Sequence, residues 1–339
     1  MRPSFHPRLV NDPFDDPGLF IPFLYESRAI LFDAGEIHAL SARDILKISH
    51  VFVTHTHMDH FVGFDRLLRL CLGREKRLHL FGPEGFIRNV EGKLSGYSWN
   101  LVSHYQTRFI LTATEVRNDS LISRQYRCRE AFTPQSEKKK AFRDGMLVKE
   151  PAFSVSAILL DHRIPCLGLS ITEQFHVNIK KDAVLALGLE IGPWLKEFKA
   201  ALFKKKDPES VFDVKYHEKG PPMNRFRLGD LSEKIAVVTP GQKVSYIADI
   251  RYDESELDRI CRFIYGSDHL YIEAAFSRKD EKIAEEKSHL TAWQAGTIAG
   301  RSHARQFTLF HFSPRYTDKA HLLQKEADEA YREALGGTG

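Results

Sequence analysis

The hexapeptide His55-Thr56-His57-Met58-Asp59-His60 gathers three imidazoles and a carboxylate directly after the run His50-Val51-Phe52-Val53. That run reads as a buried strand ending at a loop. Alternate residues share a face as a strand turns out of its sheet, so His55 and His57 converge on one cation while Asp59 and His60 swing toward a second. Imidazole and carboxylate donors suit zinc, manganese or iron(II). The chain carries 16 histidines, most of which need no function, and it is the spacing that sets this cluster apart.

A two-metal centre needs further donors, and three stand at the ends of other strand-like runs. His162 follows Ala157-Ile158-Leu159-Leu160, Asp249 ends Ser245-Tyr246-Ile247-Ala248, and His311 ends Thr308-Leu309-Phe310. In layered α/β structures, reactive groups collect where strands give way to loops. Taken singly, His162 also reads as a core histidine, Asp249 as a helix cap and His311 as a strand-edge residue. Together they allow one cation on His55, His57 and His162 and another on Asp59, His60 and His311, with Asp249 bridging. Two such ions, roughly 3.5 to 4 Å apart, would turn a shared water into hydroxide near neutral pH.

The remaining chain supports a substantial core, with 42% hydrophobic and 11% aromatic residues in 339. A net charge of +4 permits an anionic partner without selecting one. Cys71, Cys128, Cys166 and Cys261 form no CxxC pair. With neither a secretory leader nor an apolar run of membrane-spanning length, they predict a soluble protein of a reducing cytoplasm, with no membrane partner. Strands are expected at 20–24, 29–32, 79–81 (followed by a turn at Gly82-Pro83), 108–111, 126–130, 146–149, 153–160, 243–248, 270–274 and 306–310. Helices are expected at 41–46, 61–69, 255–265, 292–302 and 319–335. Lys138 to Lys140 reads as a loop. The segment 181–201 reads as helical with breaks at Gly188 and Gly192-Pro193, and 204–208 as a solvated turn. Alternation of strands and helices in the last third signals βαβ units.

Several stretches together resemble the metallo-β-lactamase superfamily and, within it, the ribonuclease Z family. They are Leu31-Phe32-Asp33-Ala34-Gly35-Glu36, His55 to His60, Asp161-His162, Tyr246 to Asp249, His289-Leu290-Thr291-Ala292-Trp293-Gln294-Ala295-Gly296 and His311-Phe312-Ser313-Pro314-Arg315-Tyr316. The resemblance implies an αββα sandwich over residues 1–339 with a small inserted arm at 176–226. It implies two divalent metal ions, zinc or alternatively manganese, on His55, His57, Asp59, His60, His162, Asp249 and His311. His289 would be the proton donor, with Asp59 and Glu273 completing the catalytic set; Glu273 would hold His289, and Asp33 would orient a ligand. The implied activity is removal of the 3′ trailer from precursor tRNA, by a homodimer in the family's common form.

The arm would grip tRNA through Lys180, Lys181, Lys196, Lys199, Lys204, Lys205 and Lys206, seven lysines against three acids between Asn178 and Lys206. A solvated helix face explains the same lysines. The chain departs from the family pattern at three places. Ile272-Glu273-Ala274-Ala275 replaces a His-Glu-Ala-Thr run, Ile250 replaces a threonine, and Asp12 to Gly18 replaces a glycine-rich turn. These leave open a small-molecule phosphodiesterase or esterase of the same superfamily. From another class, a metal-binding RNA chaperone without turnover also remains.

Overall fold

A computed structural model describes residues 5–24, 26–215 and 224–336. Its larger unit comprises Phe5–Leu147, Val155–Ile171 and Lys243–Gly339, and its smaller unit includes Val148–Ser154 and Thr172–Gln242. The expected arm, residues 176–226, falls within the smaller unit, except that 216–223 lie outside the described residues.

Among the described residues the larger unit is built on an eight-stranded and a six-stranded sheet. The first runs in chain order from Arg8–Leu9 to Lys138–Ala141. Its middle strands Ala29–Phe32, Ile48–Phe52, Lys76–Pro83 and Phe109–Val116 lie parallel. The second orders Phe307–Phe310, His269–Glu273, Lys243–Ile247, Pro165–Glu173, Phe153–Asp161 and Met146–Lys149, the first three parallel. Each sheet has its own helix layer. Phe64, Leu67, Leu68, Phe86 and Val90 pack with the first sheet, and Leu257, Ile260, Ala295, Ile298 and Leu323 with the second. Aromatic rings fill the space between: Phe32 meets Phe52 edge-on at 5.6 Å and Tyr246 at 5.9 Å, and Tyr246 stacks on Phe310 at 4.9 Å. Parallel strands buried on both faces put all their outgoing ends on one edge. That edge receives Asp33, His55, Asp249, Glu273 and His311.

Several expectations need correction. The helix read over 61–69 is two helices, Met58–Phe61 and Phe64–Cys71, separated at Gly63. Lys138 to Lys140 is not a loop: Lys138–Ala141 is an edge strand paired with Ser120–Ser123, its backbone bonded and its lysines exposed. The strand expected to turn at Gly82-Pro83 continues through Pro83, and 126–130 is the end of strand Ser120–Arg127 followed by a 3-10 turn. The strand Pro165–Glu173 was not foreseen.

The smaller unit has a core of its own, with Trp194, Phe198, Val184, Leu189, Leu231 and Ile235 buried together. Strand Phe175–Ile179 pairs with Ala236–Pro240, and Val211–Val214 with Asn224–Arg227. Its helices Lys181–Ala186 and Trp194–Phe203 are separated at Gly188, which sits at φ +71°. No helix among the described residues is long and apolar enough to cross a membrane.

The loop carrying the histidine motif is held backbone against backbone. Ala34 N–H donates to the His60 carbonyl and Gly63 N–H to the Ala34 carbonyl, both at 2.9 Å. A Cβ on Gly63 would lie 2.1 Å from the Gly35 carbonyl oxygen. Gly63→Ala is therefore expected to destabilise the fold by about 2 kcal/mol, read as a lower urea midpoint at unchanged slope.

Candidate metal centre

Strand Ile48–Phe52 ends just before Thr54 and His55, both fully buried, and the short helix Met58–Phe61 turns Asp59 and His60 back toward them. His162 sits at the hairpin after Phe153–Asp161, Asp249 beyond Lys243–Ile247, and His311 beyond Phe307–Phe310 at φ +61°. These seven residues, the ones singled out from spacing, meet in two quartets. His55, His57, His162 and Asp249 form one; Asp59, His60, His311 and Asp249 form the other, with donor atoms of each within 4.8 Å of one another. Asp249 Oδ2 lies 3.7 Å from His55 Nε2, 3.3 Å from His60 Nε2 and 3.8 Å from His162 Nε2, while its Oδ1 faces His311 Nδ1 at 3.3 Å. Asp59 Oδ2 is 3.1 Å from His311 Nε2. Asp249, Glu273, His289 and His311 make a third grouping.

The surroundings fix which ring nitrogen faces the centre. His162 Nδ1 donates to the Ser288 carbonyl at 2.8 Å, which leaves its Nε2 lone pair inward. His60 Nδ1 donates to Asp33 Oδ2 at 2.9 Å. Asp33 also accepts from Thr54 N at 2.7 Å, Thr54 Oγ1 at 2.9 Å and Tyr246 Oη at 3.0 Å, so one buried carboxylate ties both sheets to the His60 ring. His60 Nε2, Asp249 Oδ1 and His311 Nδ1 are buried and have no hydrogen-bond partner among the described residues. Buried polar atoms left unpaired cost roughly 1 to 3 kcal/mol each, a cost that cations between them would offset. The donor set thus fits a pair of divalent ions.

Electrostatics agree with that fit. Burial pushes His55 down to about 2, helped by the neighbouring imidazoles, so the ring is a neutral donor. Burial also lowers His57, the most exposed of the seven. Burial would raise Asp59, yet the His311 hydrogen bond and the His60 charge hold it at about 2. Burial opposes protonation of His60, but Asp249 and Asp33 raise it well above the imidazole range; Asp249 and the Asp59 bond likewise raise His311. For Asp249, burial is overcome by His311 and His60, which hold the carboxylate well below its usual range. These are the sites where a cation would take a proton's place.

His289 stands beside this cluster. Its Nδ1 lies 3.2 and 3.3 Å from the two Glu273 oxygens, and Glu273 also accepts from the Ile250 backbone N–H at 2.9 Å. Burial would lower His289, but the Glu273 charge and hydrogen bond raise it to about 9. Helix Ala292–Arg301 begins with a Thr291–Gln294 capping box, and Ser288 at φ +62° ends the helix before it, so His289 occupies a fixed corner. The Ile250 contact is made by backbone, which explains how isoleucine stands there without loss of the Glu273 link. Of the expected lysines, Lys180, Lys181, Lys196, Lys204, Lys205 and Lys206 are exposed on the smaller unit, and Lys199 is half-buried.

No family model matches the chain. Ribonuclease Z from Deinococcus radiodurans is 30% identical over 292 residues, spanning 85% of this chain and 83% of that relative. The chain belongs to the ribonuclease Z family. Ribonuclease Z from Treponema pallidum (strain Nichols) is 29% identical over 314 residues, 91% of this chain and 84% of the relative. Among solved structures, the metallo-β-lactamase fold protein YhfI from Bacillus subtilis superposes with a TM-score of 0.53 at 15% identity, over 96% of this chain and 92% of that one. Human tRNase Z, short form, gives 0.50 at 18% identity over 93% of each. The fold is the metallo-β-lactamase αββα sandwich.

Three contributors escape a sequence reading: the Ser288 carbonyl, Thr54 and the Tyr246 hydroxyl. Only Tyr246 carried a signal, as part of the stretch ending in Asp249. Asp33 Oδ2 accepts three of its bonds, which an amide nitrogen cannot do. Asp33→Asn is expected to lower stability by about 2 kcal/mol, read as a depressed melting temperature of the chelated protein.

Proposed function

We propose that this protein is the endoribonuclease that removes the 3′ trailer from precursor tRNA, working with two divalent cations. The single observation that carries the reading is Asp249 shared by two donor quartets, with His289 and its carboxylate partner beside it. His55, His57 and His162 would hold one cation and Asp59, His60 and His311 the other, with Asp249 available to both. Zinc suits this imidazole-rich set best, and manganese is the alternative.

When bound, such a pair supplies Lewis-acid chemistry, acidifying water and offsetting charge on the phosphoryl oxygens. The chain's own residues do the rest. Asp33 and the Ser288 carbonyl keep the His60 and His162 rings aimed inward. The Glu273 carboxylate favours a proton on the His289 ring. With Nδ1–H bonded to Glu273, its Nε2–H protonates the departing 3′ oxygen as a water oxygen bonds to phosphorus and the P–O3′ bond breaks. The products are a tRNA ending in a 3′ hydroxyl and a 5′-phosphorylated trailer.

The six exposed lysines of the smaller unit suit sequence-independent contacts to tRNA phosphates, with acids only at Asp182, Glu190 and Glu197 in the same stretch. Burial lowers the Lys199 pKa against the opposing charge of Glu173, so that lysine is the weakest contributor of the seven.

The test is incubation of the purified protein with zinc or manganese, an end-labelled precursor tRNA and bis-p-nitrophenyl phosphate. Mature-length tRNA is the expected product, lost by at least about 100-fold in His57→Ala. Hydrolysis of the small diester alone would point to a small-molecule phosphodiesterase, and hydrolysis of neither to a non-catalytic RNA binder. A pH profile of kcat tests His289 as the acid. The general acid must be protonated, so activity falls as pH rises through its pKa. Glu273→Gln removes the charge that raises His289 and is expected to move that alkaline limb down by about 1 unit or more. An unmoved limb would assign the acid elsewhere.

A further inference from the structure

A polynucleotide crossing a cleavage site leaves it on two sides; one cavity here is lined by residues of the site itself, and another by their neighbours in the chain. The smaller, about 220 Å³, is lined by Asp59, His289 and His311 themselves, with Phe14, Phe276 and Phe312. The lining of the larger, about 530 Å³, includes residues within two positions of His162 and Asp249 in the chain: Asp161, Arg163, Ile250 and Arg251. No residue lines both.

The charged groups of the larger cavity are unequally engaged. Arg259 donates to Glu256 and to the Leu159 carbonyl, Arg117 pairs with Glu115 at 2.7 Å, and Asp253 caps the Ser255 N–H. Arg163 reaches only the Glu285 carbonyl, at 3.5 Å. Arg251 feels the Asp253 charge, but its guanidinium has no hydrogen-bond or ion-pair partner among the described residues. Two guanidiniums thus face the cavity with no carboxylate bonded to them, beside the carboxylates of Asp161 and of Glu84, the latter 3.9 Å from Arg117. Leu160, Ile164 and Ile260 give it an apolar lining, and its volume is that of a site for a nucleotide-sized ligand.

We infer that this cavity receives the first nucleotide of the trailer, and that Arg163 and Arg251 bind the phosphate on that nucleotide's 3′ side. The inference rests on the endoribonuclease reading above and adds the strand's direction. His289, which protonates the departing 3′ oxygen, lines the smaller cavity, so the nucleoside bearing that oxygen lies there. Phosphorus stays with the trailer, whose nucleoside must leave by the other side. Guanidinium forks match phosphate oxygens, and the aliphatic lining takes the base without selecting it. Both arginines are positioning residues and touch none of the reacting atoms.

Trailer length provides the test, because a precursor with a single trailer nucleotide lacks that second phosphate. Kinetics of wild type, Arg251→Ala, Arg163→Ala and Arg251→Lys are compared on precursors with one and with ten trailer nucleotides. On the longer substrate, each alanine variant is expected to raise KM about tenfold at unchanged kcat, and Arg251→Lys to recover part of it. The slope of log KM against log salt should also fall by about 0.7 for each phosphate that is no longer neutralised. On the one-nucleotide substrate all four proteins should be alike, which also certifies that the variants fold. Equal losses on both substrates, or no loss on the longer one, would overturn the trailer pocket. If wild type cuts neither precursor, the endoribonuclease reading itself fails, and this inference with it.

Discussion

A carboxylate buried at Asp249 with five imidazoles around it is the constraint on which the rest of the larger unit depends. His55, His60, His162, His289 and His311 all bring a ring nitrogen within 3.8 Å of its oxygens. Water cannot solvate this group, since Asp249 is only 2% exposed, and unpaired charge in such a place is costly. The two sheets must therefore end together, because the rings arrive from both. Asp33 makes the same demand one layer further out, drawing Thr54 and His60 from one sheet and Tyr246 from the other. Rings that could rotate freely would make poor ligands; here the His60 and His162 rings each have one nitrogen occupied and one directed inward.

The close packing at Gly35 and Gly63 belongs to the same construction as the donor atoms. The motif loop returns to the strand it left, and only a residue without a Cβ lets Gly63 approach the Gly35 carbonyl so closely. His289 is fixed by comparable means, between an αL serine and a capped helix. The smaller unit is organised around a separate core of Trp194 and Phe198, so its exposed lysines are carried on a folded support.

What could be read in the sequence followed from strand ends. Apolar runs before His55, His162, Asp249 and His311 were recognisable, and parallel strands bring the ends before His55, Asp249 and His311 to one edge. Interactions made by backbone or across great separation were not recognisable. Tyr246 and Asp33 stand 213 residues apart, and the group that orients His162 is a carbonyl that any residue at 288 would supply. Local pattern misled where tertiary pairing overrode it. Lys138 to Lys140 reads as a loop because three lysines follow one another, yet an edge strand needs only its backbone to pair. The helix break at Gly63 likewise reflects close approach to a distant loop, while the apolar spacing through Arg69 suggested continuity.

Counting cations tests the central claim most directly. Elemental analysis of metal-loaded protein after removal of excess ion should give two zinc equivalents per chain, falling to one or fewer in Asp249→Ala, whose side chain both quartets share. A wild-type protein that retains one equivalent or none, or an Asp249→Ala variant that still retains two, would contradict the paired centre built here.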